Sequence, residues 1–159
     1  MVEDFRTWLE RYDGRLHEAA SLEDARAQAR QLIGGASVAR WADEPLDGIA
    51  EQEASAAEAE VSLIHADVAV AGTGAIACAH LPGRPRAVGL LPPRQIALVR
   101  ASDLVPEMSD AVARFFRTGS PPPPNVIFIS GPSRTSDIEQ RSIRGMHAPG
   151  ELDVILYGT

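Results

Sequence analysis

The residues this chain lacks narrow its chemistry before any motif is considered. It contains no lysine: all 15 of its basic residues are arginine. Schiff-base catalysis, a pyridoxal phosphate anchor and a Walker-A phosphate loop each require lysine, so all three are excluded. Cys78 is the single cysteine. No internal disulfide can form, and one thiol cannot by itself hold an iron–sulfur cluster or a structural zinc. Its Ala and Ile neighbours mark it as a core residue rather than a nucleophile. Aromatics make up only 5% of the chain, so the core must rest on Ala, Val, Leu and Ile. Positive charge is also scarce, with 22 acidic residues against 15 basic ones and a formal charge of −7. That balance argues against binding a nucleic-acid backbone. Long hydrophobic runs are missing too, because the stretch 61–83 is interrupted by Asp67, two His and several Gly. The first residues, Met1-Val2-Glu3-Asp4-Phe5-Arg6, have neither the basic nor the apolar region of a signal peptide. A soluble cytoplasmic protein with no membrane and no nucleic-acid partner is expected.

At 159 residues and 45% hydrophobic content, the chain suits a single domain over 1–159. Phe5, Trp8, Leu9 and Tyr12 recur at helical spacing and predict a first helix ending near Gly14. A short strand is expected at 15–19. Ser21 should cap a helix that runs to about Leu32 and stops at Gly34-Gly35. Strands are expected at 36–41, at 87–91 and at 95–99, with two more within 61–79 meeting at Gly72-Thr73-Gly74. A short helix is expected near 46–50. A longer one should open at Ser102 or Asp103, and a strand should close the chain at 153–157. Strands alternating with helices imply an α/β fold with a largely parallel sheet.

The most informative stretch is Val126-Ile127-Phe128-Ile129-Ser130-Gly131-Pro132-Ser133-Arg134-Thr135-Ser136-Asp137-Ile138-Glu139. Four apolar residues predict a buried strand, and Gly131-Pro132 a tight turn. Ser136 with Glu139 three residues later is a capping-box pattern, so a helix is expected from there to about Arg144. Strand, polar turn and helix start are where α/β sheets place ligands, beyond the strands' carboxyl ends. Orphan N–H groups at the helix start, with the Arg134 guanidinium, would suit a carboxylate or phosphate. The local chemistry also allows a plain helix cap, with Arg134 paired to Asp137 or Glu139 at the surface.

Other constellations carry less. His65-Ala66-Asp67 offers two metal-ligand types but no third, and no metal site is assigned. His147, in the turn Gly145-Met146-His147-Ala148-Pro149-Gly150-Glu151-Leu152, can act as a base, bind an anion or cap the preceding helix. Gly72-Thr73-Gly74 can bring backbone N–H groups close to a ligand but lacks phosphate-loop spacing. No catalytic residue is identified.

Taken together, these segments resemble the lactate-utilization (LUD) domain family, most clearly over 66–159. The segment 130–139 matches that family's Ser-Gly-Pro-Ser-Arg-Thr-Ala-Asp-Ile-Glu motif almost completely, and 145–152 resembles its Gly-x-His-Gly-Pro-x-Glu-Leu turn. Leu91-Pro92-Pro93-Arg94-Gln95 resembles Leu-Pro-Pro-x-His, with Gln95 where His is common. Ala71-Gly72-Thr73-Gly74-Ala75 resembles Ala-Glu-Thr-Gly-Thr, with Gly72 in place of the family's Glu and Ala75 in place of its second Thr. The resemblance implies a Rossmann-like three-layer α/β/α sandwich of the phosphosugar isomerase and CoA transferase type. It implies a role in oxidising L-lactate to pyruvate beside iron–sulfur partner proteins, and an accessory component is the first expectation. A small-molecule enzyme acting on an anionic substrate, related to CoA transferases, phosphosugar isomerases or formyltetrahydrofolate cyclo-ligases, is the competing expectation. The candidate ligand-binding residues are Thr73 and Gly74 in one turn, Ser130, Gly131, Ser133, Arg134, Thr135 and Asp137 in another, and His147. No cofactor is expected on the isolated chain.

Overall fold

Phe5 and Leu9, four residues apart and fully buried, form the inner stripe of helix α1 (Val2–Arg11). Trp8 and Tyr12 were expected on the same stripe, but they stack on each other with ring centroids 6.5 Å apart, and Tyr12 is exposed. Strand β1 (Arg15–Ala19) follows, then α2 (Leu22–Ile33). The Ser21 hydroxyl caps α2 by accepting the Asp24 N–H at 3.1 Å, and Gly34 ends it in the left-handed region at φ +60°. The remaining elements are β2 (Val38–Arg40), β3 (Val61–His65), β4 (Val68–Val70), β5 (Ala75–Ala79), β6 (Arg94–Arg100), β7 (Leu104–Val105), α3 (Met108–Phe115), β8 (Val126–Ile129), β9 (Arg134–Ser136), β10 (Ser142–Arg144) and β11 (Glu151–Tyr157). The computed structural model describes residues 1–116, 121–132 and 149–159, with 134–136 and 142–144 by their backbone.

Five strands form a wholly parallel sheet in the order β1-β11-β6-β3-β2. Its central strands β6 and β11 are in register over seven residues, from Arg94 opposite Glu151 to Arg100 opposite Tyr157. Both are almost continuously apolar, as strands covered on both faces must be. Alternation sends Gln95, Leu152 and Leu16 to one face and Arg94, Asp153 and His17 to the other. Helix α2 covers the second of these faces. The first is covered by α1 and a smaller mixed sheet ordered β7-β4-β5-β8, with α3 packed outside on β4 and β7. The result is the expected three-layer α/β fold, its third layer made largely of sheet.

Several local expectations change. The stretch 61–79 holds three strands, not two, because the chain leaves the parallel sheet after His65 and enters the smaller one at Val68. Residues 86–89 form a single 3-10 turn instead of a strand, held by Leu90 and Leu91 N–H bonds to the Ala87 carbonyl. A 3-10 turn also replaces the short helix near 46–50, earlier in the chain at Glu44–Leu46. The helix expected at Ser102 starts at Met108, because Leu104 and Val105 first pair as β7 with β4, and Glu107 then closes a capping box with Asp110. The helix expected from Ser136 to Arg144 is replaced at both ends by antiparallel strands. There Thr135 faces Ile143, and β-branched residues opposite each other favour a ladder over a helix.

The parallel sheet also holds a charged side chain in its interior. Asp153 is 1% exposed and sits at the start of β11. It accepts two hydrogen bonds from the Arg15 guanidinium at 2.8 Å and contacts His17 Nε2 at 2.8 Å. Burial pushes its carboxyl up, but the Arg15 and His17 hydrogen bonds outweigh that and hold it down at about 2. Because the unfolded chain takes up this proton first, the stabilisation is present above pH 4 and is lost as pH falls towards 2. It amounts to about 2 kcal/mol. Denaturant titrations across pH 2–5 should show this loss in the parent chain, while Asp153→Asn should be less stable at pH 7 and show a shallower acid slope over the same range. An equal acid slope in both would remove Asp153 from the account.

Candidate functional site

The segment after β8 bends back over the parallel sheet and meets it at the amino ends of its strands. Between them lies a cleft of about 470 Å³. Ile127, Phe128, Ile129, Ser130, Gly131 and Pro132 form one wall. Gly89, Leu90 and Gln95 form the floor, where the chain enters β6, and Pro149 and Leu152 line it where the chain enters β11. Tyr12, which ends α1, stands at the rim. Three segments far apart in sequence, 89–95, 127–132 and 149–152, therefore converge on one cavity. Its location corrects an expectation. β8 runs antiparallel to β5 in the smaller sheet, so its own carboxyl end delivers Ser130 to the amino ends of the parallel strands, not to their carboxyl ends.

The described polar groups of this cleft are neutral. Gln95 is 1% exposed, and its Nε2 donates to the Gly89 carbonyl at 3.3 Å, which fixes the carboxamide against the floor. The Ser130 hydroxyl donates to the Thr73 carbonyl at 3.4 Å, tying the second turn to the first. Among the described lining residues there is no carboxylate and no guanidinium. Ser133, Asp137 and His147 lie outside the described residues, as do the side chains of Arg134 and Thr135. Strand β9 begins at Arg134, two positions after Pro132 in the sequence.

Two of the candidate glycines have packing duties. Gly74 adopts φ +66°, and a Cβ there would overlap the backbone of Trp8 and Leu9. It lets α1 lie directly on the first turn, and neither it nor Thr73 lines the cleft. Gly131 adopts φ +79° with the Tyr12 carbonyl pressed against the position a Cβ would take. Gly72 faces the Glu107 carboxylate, whose oxygens lie 3.8 and 3.9 Å from the position of a Cβ. A glutamate at 72 would bring two carboxylates together.

At the opposite end of the sheet, His65 and Asp67 go separate ways. Asp67 accepts Arg84 Nη1 at 2.8 Å and the Ala79 N–H at 2.8 Å. His65 Nε2 lies 3.0 Å from the Tyr157 hydroxyl, whose oxygen accepts Arg100 Nε at 3.0 Å. The phenol oxygen can accept from Arg100 and still either donate to or accept from His65, so the direction of that bond follows the tautomer of the neutral His65 ring. Burial lowers the His65 pKa, consistent with that neutral ring. The pair is a structural tie between β3 and β11, and no group of three or more ligand-type residues gathers among the described residues. Cys78 is fully buried, and burial pushes its thiol far up, as expected of a core cysteine.

Comparison with known proteins fixes the family. The sequence model of the LUD domain matches residues 34–157, which include every described cleft residue except Tyr12. The chain belongs to the LUD domain family. It is 38% identical over 104 residues to lactate utilization protein C of an Exiguobacterium species, covering 64% of this chain and 45% of that protein. It is 31% identical over 126 residues to lactate utilization protein C of Bacillus subtilis, covering 77% and 51%. The chain thus spans about half the length of the curated relatives it matches. A crystal structure of a DUF162 family protein from Deinococcus radiodurans superposes with a TM-score of 0.72 at 25% identity, covering 99% of this chain and 96% of that one. No described helix of this LUD domain is long and apolar enough to cross a membrane.

Sequence reasoning found the wall of the cleft at Ser130 and Gly131 but placed Tyr12 in the core and gave Leu90 to a strand. The Leu-Pro-Pro turn was the available signal for Gln95. The Gly131 geometry gives a direct test. Gly131→Ala must displace the Tyr12 backbone and force a left-handed alanine, so the thermal midpoint should fall by an amount equivalent to about 1–3 kcal/mol. Gly158→Ala, also at positive φ but with nothing near its Cβ, should cost less. Equal losses would mean that the Tyr12 contact contributes nothing.

Proposed function

We propose that this LUD domain serves lactate utilization as an accessory component beside the iron–sulfur proteins that oxidise L-lactate to pyruvate, and that it binds a small anion at the turn 130–135. One observation carries the reading: the three segments that most resemble the family's motifs, though distant in sequence, build a single cleft. The relatives named lactate utilization protein C support the pathway. Ser130 and Gly131 form the described part of the turn, and Arg134 supplies the one cation near it in sequence. Ser133, Thr135, Asp137 and His147 are proposed to complete the site.

The competing reading, an enzyme acting on a larger anionic substrate, draws on the cleft's volume, which falls in the range of ligand pockets and far exceeds the size of lactate. It needs a carboxylate near Arg134. Asp67, one candidate, is engaged by Arg84 on another surface and lines a separate groove with Leu81 and Phe115.

Two measurements separate these readings. Tagged protein should co-purify with the iron–sulfur proteins of lactate oxidation, and its deletion should impair growth on lactate. Neither effect is expected of an independent isomerase or transferase. Arg134→Ala should weaken binding of lactate or phosphate by about 1.5–3 kcal/mol, as for a charged hydrogen bond, with little change in the thermal midpoint of the unliganded protein. Unchanged affinity in this variant would end the anion-site proposal.

A further inference from the structure

The cleft is larger and more apolar than a bare small anion requires. Of the large hydrophobic side chains left exposed, Tyr12, Leu90 and Phe128 gather here, each 39–40% exposed. Exposed apolar groups collected in one concavity mark a place where a ligand buries them. No described lining side chain is charged, so the part of a ligand that enters between these walls must be uncharged.

The floor adds a hydrogen-bonding group. Leu152, Gln95, Ser62 and Ala39 are neighbours in register across β11, β6, β3 and β2. Gln95 and Ser62 are the polar members of this row, 1% and 0% exposed. The Gln95 carboxamide uses one N–H on the Gly89 carbonyl, and its Oε1 accepts no hydrogen bond from a described residue. The Ser62 hydroxyl has no partner among the described residues either. Buried polar groups are normally paired, so two with spare capacity side by side leave an opening for a polar group of a ligand. Gln95 lines the cleft and Ser62 lies one strand behind it, so Gln95 makes that contact.

These features describe a ligand in three parts: an anion for the turn that begins at Ser130 and Gly131, one neutral hydrogen-bonding group, and an apolar body. Lactate has the first two and only a methyl group for the third. We propose that the cleft takes 2-hydroxy acids with a larger side chain, aryl or branched alkyl. The hydroxyl bonds to the Gln95 carboxamide, and the side chain packs on Tyr12, Leu90 and Phe128. The carboxylate end rests on the anion site proposed above; the hydroxyl and side-chain contacts are additional to it. Gln95 is the specificity-determining residue, because its carboxamide tells a hydroxy acid from the deoxy analogue.

Calorimetric titration of the full chain with L-lactate, both enantiomers of 3-phenyllactate and 3-phenylpropionate tests this. Burial of the phenyl ring should make one enantiomer of 3-phenyllactate bind about tenfold tighter than lactate. 3-Phenylpropionate, which lacks only the hydroxyl, should bind about fivefold more weakly than that enantiomer, the scale of one neutral hydrogen bond. Gln95→Met nearly keeps the side chain's size and should bring these two ligands to equal affinity. Leu90→Ala should narrow the gap between 3-phenyllactate and lactate. Equal affinity of 3-phenyllactate and 3-phenylpropionate in the parent chain overturns the role of Gln95. No gain of 3-phenyllactate over lactate overturns the apolar subsite. In both cases, lactate binding that Arg134→Ala weakens would leave the anion site standing. Binding of none of these carboxylates ends both proposals.

Discussion

The in-register pairing of β6 with β11 is the constraint on which the rest of the structure depends. These two strands sit at the centre of the parallel sheet and are buried on both faces. Their alternation decides what each layer meets. One face presents Ile96, Leu98, Asp153 and Ile155 to the α2 side. The other presents Gln95, Leu152, Val154 and Leu156 to α1 and the smaller sheet. A slip of one residue would reverse these assignments, moving Gln95 off the cleft floor and Asp153 away from Arg15 and His17. Floor and charge cluster are thus two consequences of one register.

The two ends of the sheet divide structure from candidate function. At the carboxyl ends, Tyr157 stands between His65 and Arg100, and Asp67 and Asp43 both pair with Arg84. At the amino ends the cleft keeps an amide, a hydroxyl and the Tyr12 rim beside apolar walls. The common rule for α/β sheets favours the carboxyl ends. Here the smaller sheet inverts the outcome, because β8 runs antiparallel to its neighbour and carries its terminal turn to the other end.

Much of the fold was legible in the sequence because the signals were local. Ser21 and Gly34 bound α2, and the apolar stretch interrupted at Gly72-Thr73-Gly74 marks the β4–β5 hairpin. The family motifs pointed to Ser130 and Gly131, which do line the cleft. What was not legible depends on partners distant in sequence. Nothing in the sequence around Val126 says that its strand joins a second sheet, or in which direction. Nothing around Tyr12 says that a glycine 119 positions later will press on its carbonyl. The capping-box pattern at Ser136 was a local signal, but Ser136 pairs with Ser142 in an antiparallel ladder instead of opening a helix.

The central claim is that ligand binds at the amino ends of β6 and β11. Amide chemical-shift mapping by NMR, titrating L-lactate and then phosphate into the labelled protein, tests it most directly. The account predicts shifts concentrated at residues 89–95, 130–132 and 149–152, with His65, Arg100 and Tyr157 unmoved. Shifts centred on those three residues, at the carboxyl ends, would contradict it.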